Sequence, residues 1–133
     1  MMADRRLTRG GWAALLAAAA GLLVVYAVTM APDLTWSNWG ADGGELAAAA
    51  AAGRVPHPPG FPLYMLIARA AIRLPIGTPA GRLAMLSAGM AVGTALLVGV
   101  GLIRSGASRL VGAVATLALG LSGLVWSQAV IAE

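Results

Sequence analysis

Two carboxylates stand three residues apart in Asn38-Trp39-Gly40-Ala41-Asp42-Gly43-Gly44-Glu45, directly ahead of the alanine-rich run Leu46 to Ala52. At i and i+3 of a helix, Asp42 and Glu45 share one face, at an N-terminus whose partial positive charge favours the ionised forms. Carboxylates so placed can act as a general base or offer oxygens to a divalent cation. The same Asp-x-x-Glu spacing is also that of a capping box, in which each side chain accepts from a free backbone N–H. The two readings are compatible, since one acid can cap while the other works. Gly43 and Gly44 carry no side chains and would let a substrate approach the backbone between the acids.

Three cationic or polar groups follow. His57, the only histidine, sits in a proline turn, and with no cysteine in the chain it has no companion for a metal site. It could contact a phosphate, as could Arg54 three residues earlier; the alternative is a solvated loop residue. Arg69 and Arg73 lie one turn apart on a helix face, where arginines snorkel to headgroups more often than they bind substrate. Asp42 and Glu45 are the candidate catalytic pair, and Arg54, His57 and Arg69 the cationic or polar groups available to bind substrate, beside the solvated-loop and snorkelling alternatives. A divalent cation is the cofactor such groups could take, and its ligands are not assigned.

The elements that must hold these residues are set by an apolar composition. Of 133 residues 59% are hydrophobic and 11% charged, a balance of membrane proteins rather than soluble domains. All nine basic residues are arginines, scattered and without interleaved aromatics, which argues against nucleic-acid binding. Gly11 to Ala31, Leu83 to Ile103 and Leu110 to Ala132 are uncharged. At about 1.5 Å per residue each covers a hydrocarbon core of roughly 30 Å. The expected fold is an all-α membrane protein with three transmembrane helices, at about 11–31, 83–103 and 110–132.

Arg5, Arg6 and Arg9 precede the first span, and Arg104 and Arg109 occupy the link between the second and third. The positive-inside rule puts residues 1–10 in the cytoplasm and the loop 32–82 outside, with Glu133 on the side of Asp42 and Glu45. Arg54, Arg69, Arg73 and Arg82 run against the simple rule, on a long structured loop that also carries acids. A cleaved signal peptide is the rival reading of residues 1–31, but its apolar stretch exceeds the roughly 7–15 residues usual for one. Trp12, Trp36, Trp39 and Trp126 lie near span ends, where interfacial anchoring is expected.

Seven prolines, at 32, 56, 58, 59, 62, 75 and 79, interrupt the outer loop and leave two helical pieces. The first starts at Asp42 and stops at Gly53, too short to hold in water alone and so in need of support from membrane or protein. The second, Phe61 to Leu74, would be about 21 Å long, too short and too charged on one face to span. It reads as an interfacial helix with Leu63, Leu66, Ile67 and Ala70 on its apolar side. His57-Pro58-Pro59-Gly60 fixes its approach. Gly89 and Gly93 form a small-xxx-small pair suited to close helix packing, and Gly120, Ser122 and Gly123 thin the third span.

The order of first span, then APDLTWSNWGADGGELAAAA, then GRVPHPPGFPLYMLIAR, then a span closing on WSQAVIAE, resembles the N-terminal region of a bacterial and eukaryotic family of multi-spanning membrane proteins. That family, long known only as a domain of unknown function, is grouped with protein O-mannosyltransferase-like GT-C glycosyltransferases. The resemblance covers about residues 25–133, and its motifs are specific in combination. It implies a fold of ten or more membrane helices, of which residues 1–133 form the N-terminal fragment, inactive by itself. It implies transfer of a sugar from a polyprenyl-phosphate donor to a hydroxyl of a protein or glycan acceptor on the outer side. An acid of the first outer loop works at the reaction centre of such enzymes, and the matching position is Asp42, with Glu45 as companion. His57 falls in the matching proline motif without an implied role.

Two other classes fit the residues. One is a non-catalytic membrane protein that binds polyprenyl lipid or serves polysaccharide transport. The other is a small structural membrane protein, ending at Glu133, whose acids only cap a helix. All-arginine, alanine-rich usage fits a GC-rich bacterial genome, hence a multi-pass protein of the plasma (inner) membrane.

Overall fold

The computed structural model describes residues 8–132, which form six α-helices and a 3-10 turn with no strand among them. Arg5, Arg6 and Glu133, used above to orient the chain, lie outside the described residues. The helices are α1 (Arg9–Thr29), α2 (Gly43–Ala52), α3 (Pro62–Ala71), α4 (Pro79–Arg104), α5 (Arg109–Gly120) and α6 (Gly123–Ala129).

Hydroxyl side chains start four of them, each accepting from the backbone N–H three residues on. Thr8 accepts from Gly11 at 3.1 Å, Thr78 from Gly81 at 3.1 Å, Ser108 from Val111 at 3.2 Å and Ser122 from Val125 at 3.5 Å. Each occupies one of the donors that a helix start leaves free. α1 and α4, of 21 and 26 residues, are long and apolar enough to cross a membrane, close to the expected first and second spans.

The third span is not the continuous helix expected over 110–132. α5 ends at Gly120, α6 starts at Gly123, and the two axes are bent by 64°, so the pair makes a third crossing only as a broken span. Tertiary contacts and a new cap explain the break. The buried Tyr26 hydroxyl of α1 donates to the Gly120 carbonyl at 2.7 Å, removing that acceptor from helix continuation. Leu22 fills the space where a Gly120 Cβ would stand, 2.5 Å from its nearest methyl. Ser122 is extended, at φ −60° and ψ 139°, and its hydroxyl donates to Leu119 O at 2.7 Å while capping α6.

α1, α4 and α5 pack side by side through small residues, as helices must where lipid gives apolar surfaces no drive to associate. Ala19, Ala88 and Ala95 line this core with the fully buried Leu22 and Tyr26. The expected glycine pair is not the contact: a Cβ at Gly89 or Gly93 meets nothing within 4 Å. The backbones meet instead at Gly99 of α4 and Gly112 of α5, where a Cβ on Gly99 would fall 2.6 Å from Leu15 Cδ2 and 2.9 Å from Gly112 O. Beside them the buried Thr116 hydroxyl shares its proton between Ala95 O at 3.2 Å and Gly112 O at 3.0 Å.

α2 and α3 lie at the N-terminal end of α4. Ten residues, seven of them alanine or leucine, are too few for a free helix in water, and α2 rests on protein. Its Leu46, Ala47, Ala49 and Ala50 pack with Met65 and Ala68 of α3, Ala80 and Leu83 of α4, and Ala132. Gly53 ends it in the left-handed conformation, φ 67°, with Arg54 N–H donating back to Ala49 O at 2.9 Å, as in a Schellman turn. α3 is shorter than the expected 61–74. Its C-cap carbonyl and the turn after it are gathered by Arg82, which donates to Ile72 O, to Ile76 O at 2.5 Å and to Gly77 O at 2.9 Å. Leu63, Leu66 and Ala70 are exposed and Ile67 half-buried, so the apolar face expected to meet lipid turns away from the protein.

The end of the chain stitches the loop in place. Ala31 N–H donates to Val130 O at 2.9 Å, Asn38 Nδ2 to Ser127 O at 3.2 Å, and Gln128 Nε2 to Asn38 O at 3.0 Å. Asp42, Glu45 and the segment 127–132 thus share one end of the bundle, while Arg104 and Arg109 occupy the other, a 26-residue helix away.

Candidate functional site

Asp42 occupies the N-cap position of α2, but it does not cap. Its backbone is already helical, at φ −88° and ψ −16°, and its side chain makes no bond to the first turn. The capping-box expectation fails because Glu45 has a stronger partner. The turn Pro56–Gly60, closed by Gly60 N–H donating to His57 O at 2.9 Å, brings His57 over the first turn of α2. Glu45 Oε1 accepts from the His57 backbone N–H at 2.6 Å, and Glu45 Oε2 meets His57 Nδ1 at 2.9 Å.

One carboxylate therefore holds both nitrogens on one side of His57. An ionised carboxylate only accepts, so Nδ1 carries the ring proton in this contact and Nε2 is left for a second partner. Asp42 Oδ2 lies 3.8 Å from Nε2, beyond hydrogen-bond reach, at an ion-pair distance that becomes attractive when the ring is protonated. The three side chains are partly open to solvent, between 37% and 52% exposed. Hydrogen bonds from the His57 imidazole, and then from its backbone N–H, hold the Glu45 carboxyl below its ordinary range. The Phe61 ring stands edge-on to the imidazole, with centroids 5.4 Å apart and planes at 78°.

The glycines between the acids do not both leave open space. Gly43 is buried, and a Cβ there would run into the Ala132 carbonyl. Gly44 faces only Leu34 methyls, 3.8 Å away or more. The first glycine lets two backbones touch, and only the second leaves room beside the acids.

Arg54 lines two neighbouring clefts. One, of about 310 Å³, includes Glu45, Ala48, Ala52 and Pro56, and the other, of about 270 Å³, includes Pro59, Met65 and Arg69. Arg69 Nη2 donates to Arg54 O at 3.0 Å, while its buried Nε has no hydrogen-bond partner among the described residues. The structure thus brings Asp42, Glu45 and His57 together, and places Arg54 and Arg69 beside them along the same surface. Among the described residues no three His, Cys, Asp or Glu side chains converge as a metal site. The reason is visible in the geometry, since Glu45 and His57 bond each other rather than a common point.

Two participants are invisible to sequence reasoning. The Glu45–His57 pairing spans a proline turn whose shape spacing alone does not give, and Ala132 comes from the far end of the chain. The segment Trp126-Ser127-Gln128-Ala129-Val130-Ile131-Ala132 was the one signal for the second, because it is as distinctive as the acidic motif.

A sequence model of the family described as protein O-mannosyl-transferase TMEM260 N-terminal domain matches residues 42–133, beginning at Asp42 and taking in α2, the His57 turn and the stitching segment 127–132. No solved structure matches the chain. The match covers well over half of the sequence, and the chain belongs to the protein O-mannosyl-transferase TMEM260 N-terminal domain family.

Proposed function

We propose that this chain works within a GT-C-like glycosyltransferase of the plasma membrane, moving a sugar from a polyprenyl-phosphate donor to a hydroxyl of a protein or glycan acceptor. The observation that carries the reading is Asp42: a solvent-open carboxylate that caps nothing, at the bundle end where α2 meets the membrane-crossing helices. A donor whose tail lies in the bilayer presents its anomeric carbon near the membrane surface, within reach of such a loop. Asp42 takes the acceptor proton as general base. Arg54 and Arg69 face the leaving phosphate, where positive charge stabilises the developing anion. The orientation proposed places α2 and the loop 32–82 outside, and it is supported by Arg104 and Arg109 standing at the opposite end of the bundle.

The test replaces Asp42 by Asn in the protein in its native membranes and measures sugar transfer from a lipid-linked donor. Loss of a general base lowers turnover by roughly 10²–10⁴-fold. Undiminished transfer removes the catalytic role. Donor binding without any turnover in the unmodified protein would instead support a lipid-binding component, the reading that uses the Arg54–Arg69 cleft alone.

A further inference from the structure

We infer that Glu45 is a positioning residue which, by gripping His57 at two nitrogens, aims Nε2 at Asp42 and gives that carboxylate a proton acceptor behind it. The inference rests on the proposed reading of Asp42 as base, and it gives the companion acid Glu45 a separate role.

The geometry separates their roles. Glu45 spends one oxygen on the His57 backbone N–H and the other on Nδ1, so neither oxygen is directed at a third group. Those two bonds fix both the rotation of the ring and the nitrogen that bears its proton. Phe61 stands edge-on to the ring, and it does so from the left-handed backbone, φ 44° and ψ 55°, which a bulky residue rarely adopts. Pro62 at the first helical position locks the chain immediately after it. Asp42 and Glu45 are the charged side chains that meet the imidazole, and Phe61 contributes no charge. An imidazole oriented by one carboxylate and offered to a second reacting group is the arrangement by which an orienting acid acts through a base.

The acceptor oxygen forms a bond to the anomeric carbon while the bond from that carbon to the phosphate oxygen breaks, and the electron pair leaves with polyprenyl phosphate. The acceptor proton passes to Asp42 and then, once the protonated Asp42 closes the 3.8 Å gap, to His57 Nε2, giving an imidazolium beside two carboxylates. His57, partly open to solvent, then releases the proton to water.

Three variants test this in the membrane-embedded protein: Glu45→Gln, His57→Gln and the two combined, with transfer kinetics and ¹⁵N NMR of the histidine ring. Glu45→Gln is expected to lower kcat about tenfold or more with little change in KM, and to convert the ring from one tautomer to a mixture. The double variant is expected to be no worse than His57→Gln alone, because Glu45 acts only through His57. Multiplicative losses in the double variant, or an unchanged ring tautomer in Glu45→Gln, would overturn the inference. Should Asp42→Asn leave transfer intact, the parent reading fails, and the tautomer measurement still reports separately whether Glu45 orients the ring.

Discussion

Gly43 and Gly44 are adjacent, identical and both at the head of α2, yet alanine should act on them in opposite directions. At Gly43 the new methyl collides with the Ala132 carbonyl oxygen and also lies within 3.3 Å of Ala132 Cβ. The obstructing atom is backbone, so no rotamer change relieves it, and either α2 or the segment 130–132 must move. Such overpacking costs about 1–3 kcal/mol. Alanine is favoured over glycine in a helix by up to about 1 kcal/mol, which offsets part of that cost. The net expectation at Gly43 is a loss of about 1–2 kcal/mol. At Gly44 the nearest atoms are Leu34 methyls at 3.8 and 3.9 Å, ordinary contacts, so only the propensity gain remains. Gly44→Ala is expected to stabilise by about 0.5 kcal/mol, reduced from the interior value because the site is in the first turn. At roughly 4 °C per kcal/mol, thermal unfolding in detergent followed by circular dichroism should show a fall of about 4–8 °C for Gly43→Ala and a rise of about 2 °C for Gly44→Ala. Equal shifts, or a stabilised Gly43→Ala, would refute the claim that the first glycine exists for backbone contact with Ala132.

Tyr26→Phe removes the buried donor to Gly120 O and should cost about 1–2 kcal/mol, read as a lower melting temperature. Arg82→Lys keeps the charge but loses the planar fork that reaches Ile72, Ile76 and Gly77, and a loss of about 1–3 kcal/mol is expected, with faster amide exchange over 72–77. The contact of Glu45 with His57 should respond to acid in one direction. Because the folded carboxyl is depressed from the ordinary value of 4.5, the contact contributes fully above that value and is lost as pH falls through the depressed one. Exchange of the His57 amide should stay slow on acidification to that range and accelerate below it; acceleration already near neutral pH would contradict the pairing.

Much of the frame was legible because it depends on one-dimensional quantities. The length of the uncharged runs located α1 and α4, and Asp42 and Gly53 bounded α2 within a residue. The elbow after Gly120 was not legible, since glycine and serine occur inside unbroken membrane helices and the deciding partner, Tyr26, belongs to another helix. Asp42-x-x-Glu45 matched a capping box in spacing, and failed because a nearer competitor, His57, arrived through a turn of unreadable shape. Gly89 and Gly93 satisfied the packing motif on the wrong face of α4, since a motif records spacing and not direction. The four loop arginines that opposed the charge rule have a partial account: Arg69 and Arg82 are tied to backbone carbonyls.

The stitch between Asn38 and Ser127 crosses 89 positions of chain, and Gly43 meets Ala132 across a similar interval. During synthesis from the N-terminus, the acidic loop therefore emerges long before the segment that seats it has been made. In that interval α2 lacks Ala132 beneath its first turn, and Asn38 of the 3-10 turn at Ser37–Trp39 lacks both the Ser127 carbonyl and the Gln128 amide that hold it. The loop gains these seats only when residues 127–132 have been made, so its docking on the bundle follows synthesis of the third apolar segment. A nascent chain halted before residue 127 would carry the acids and His57 on a loop not yet fastened to its bundle.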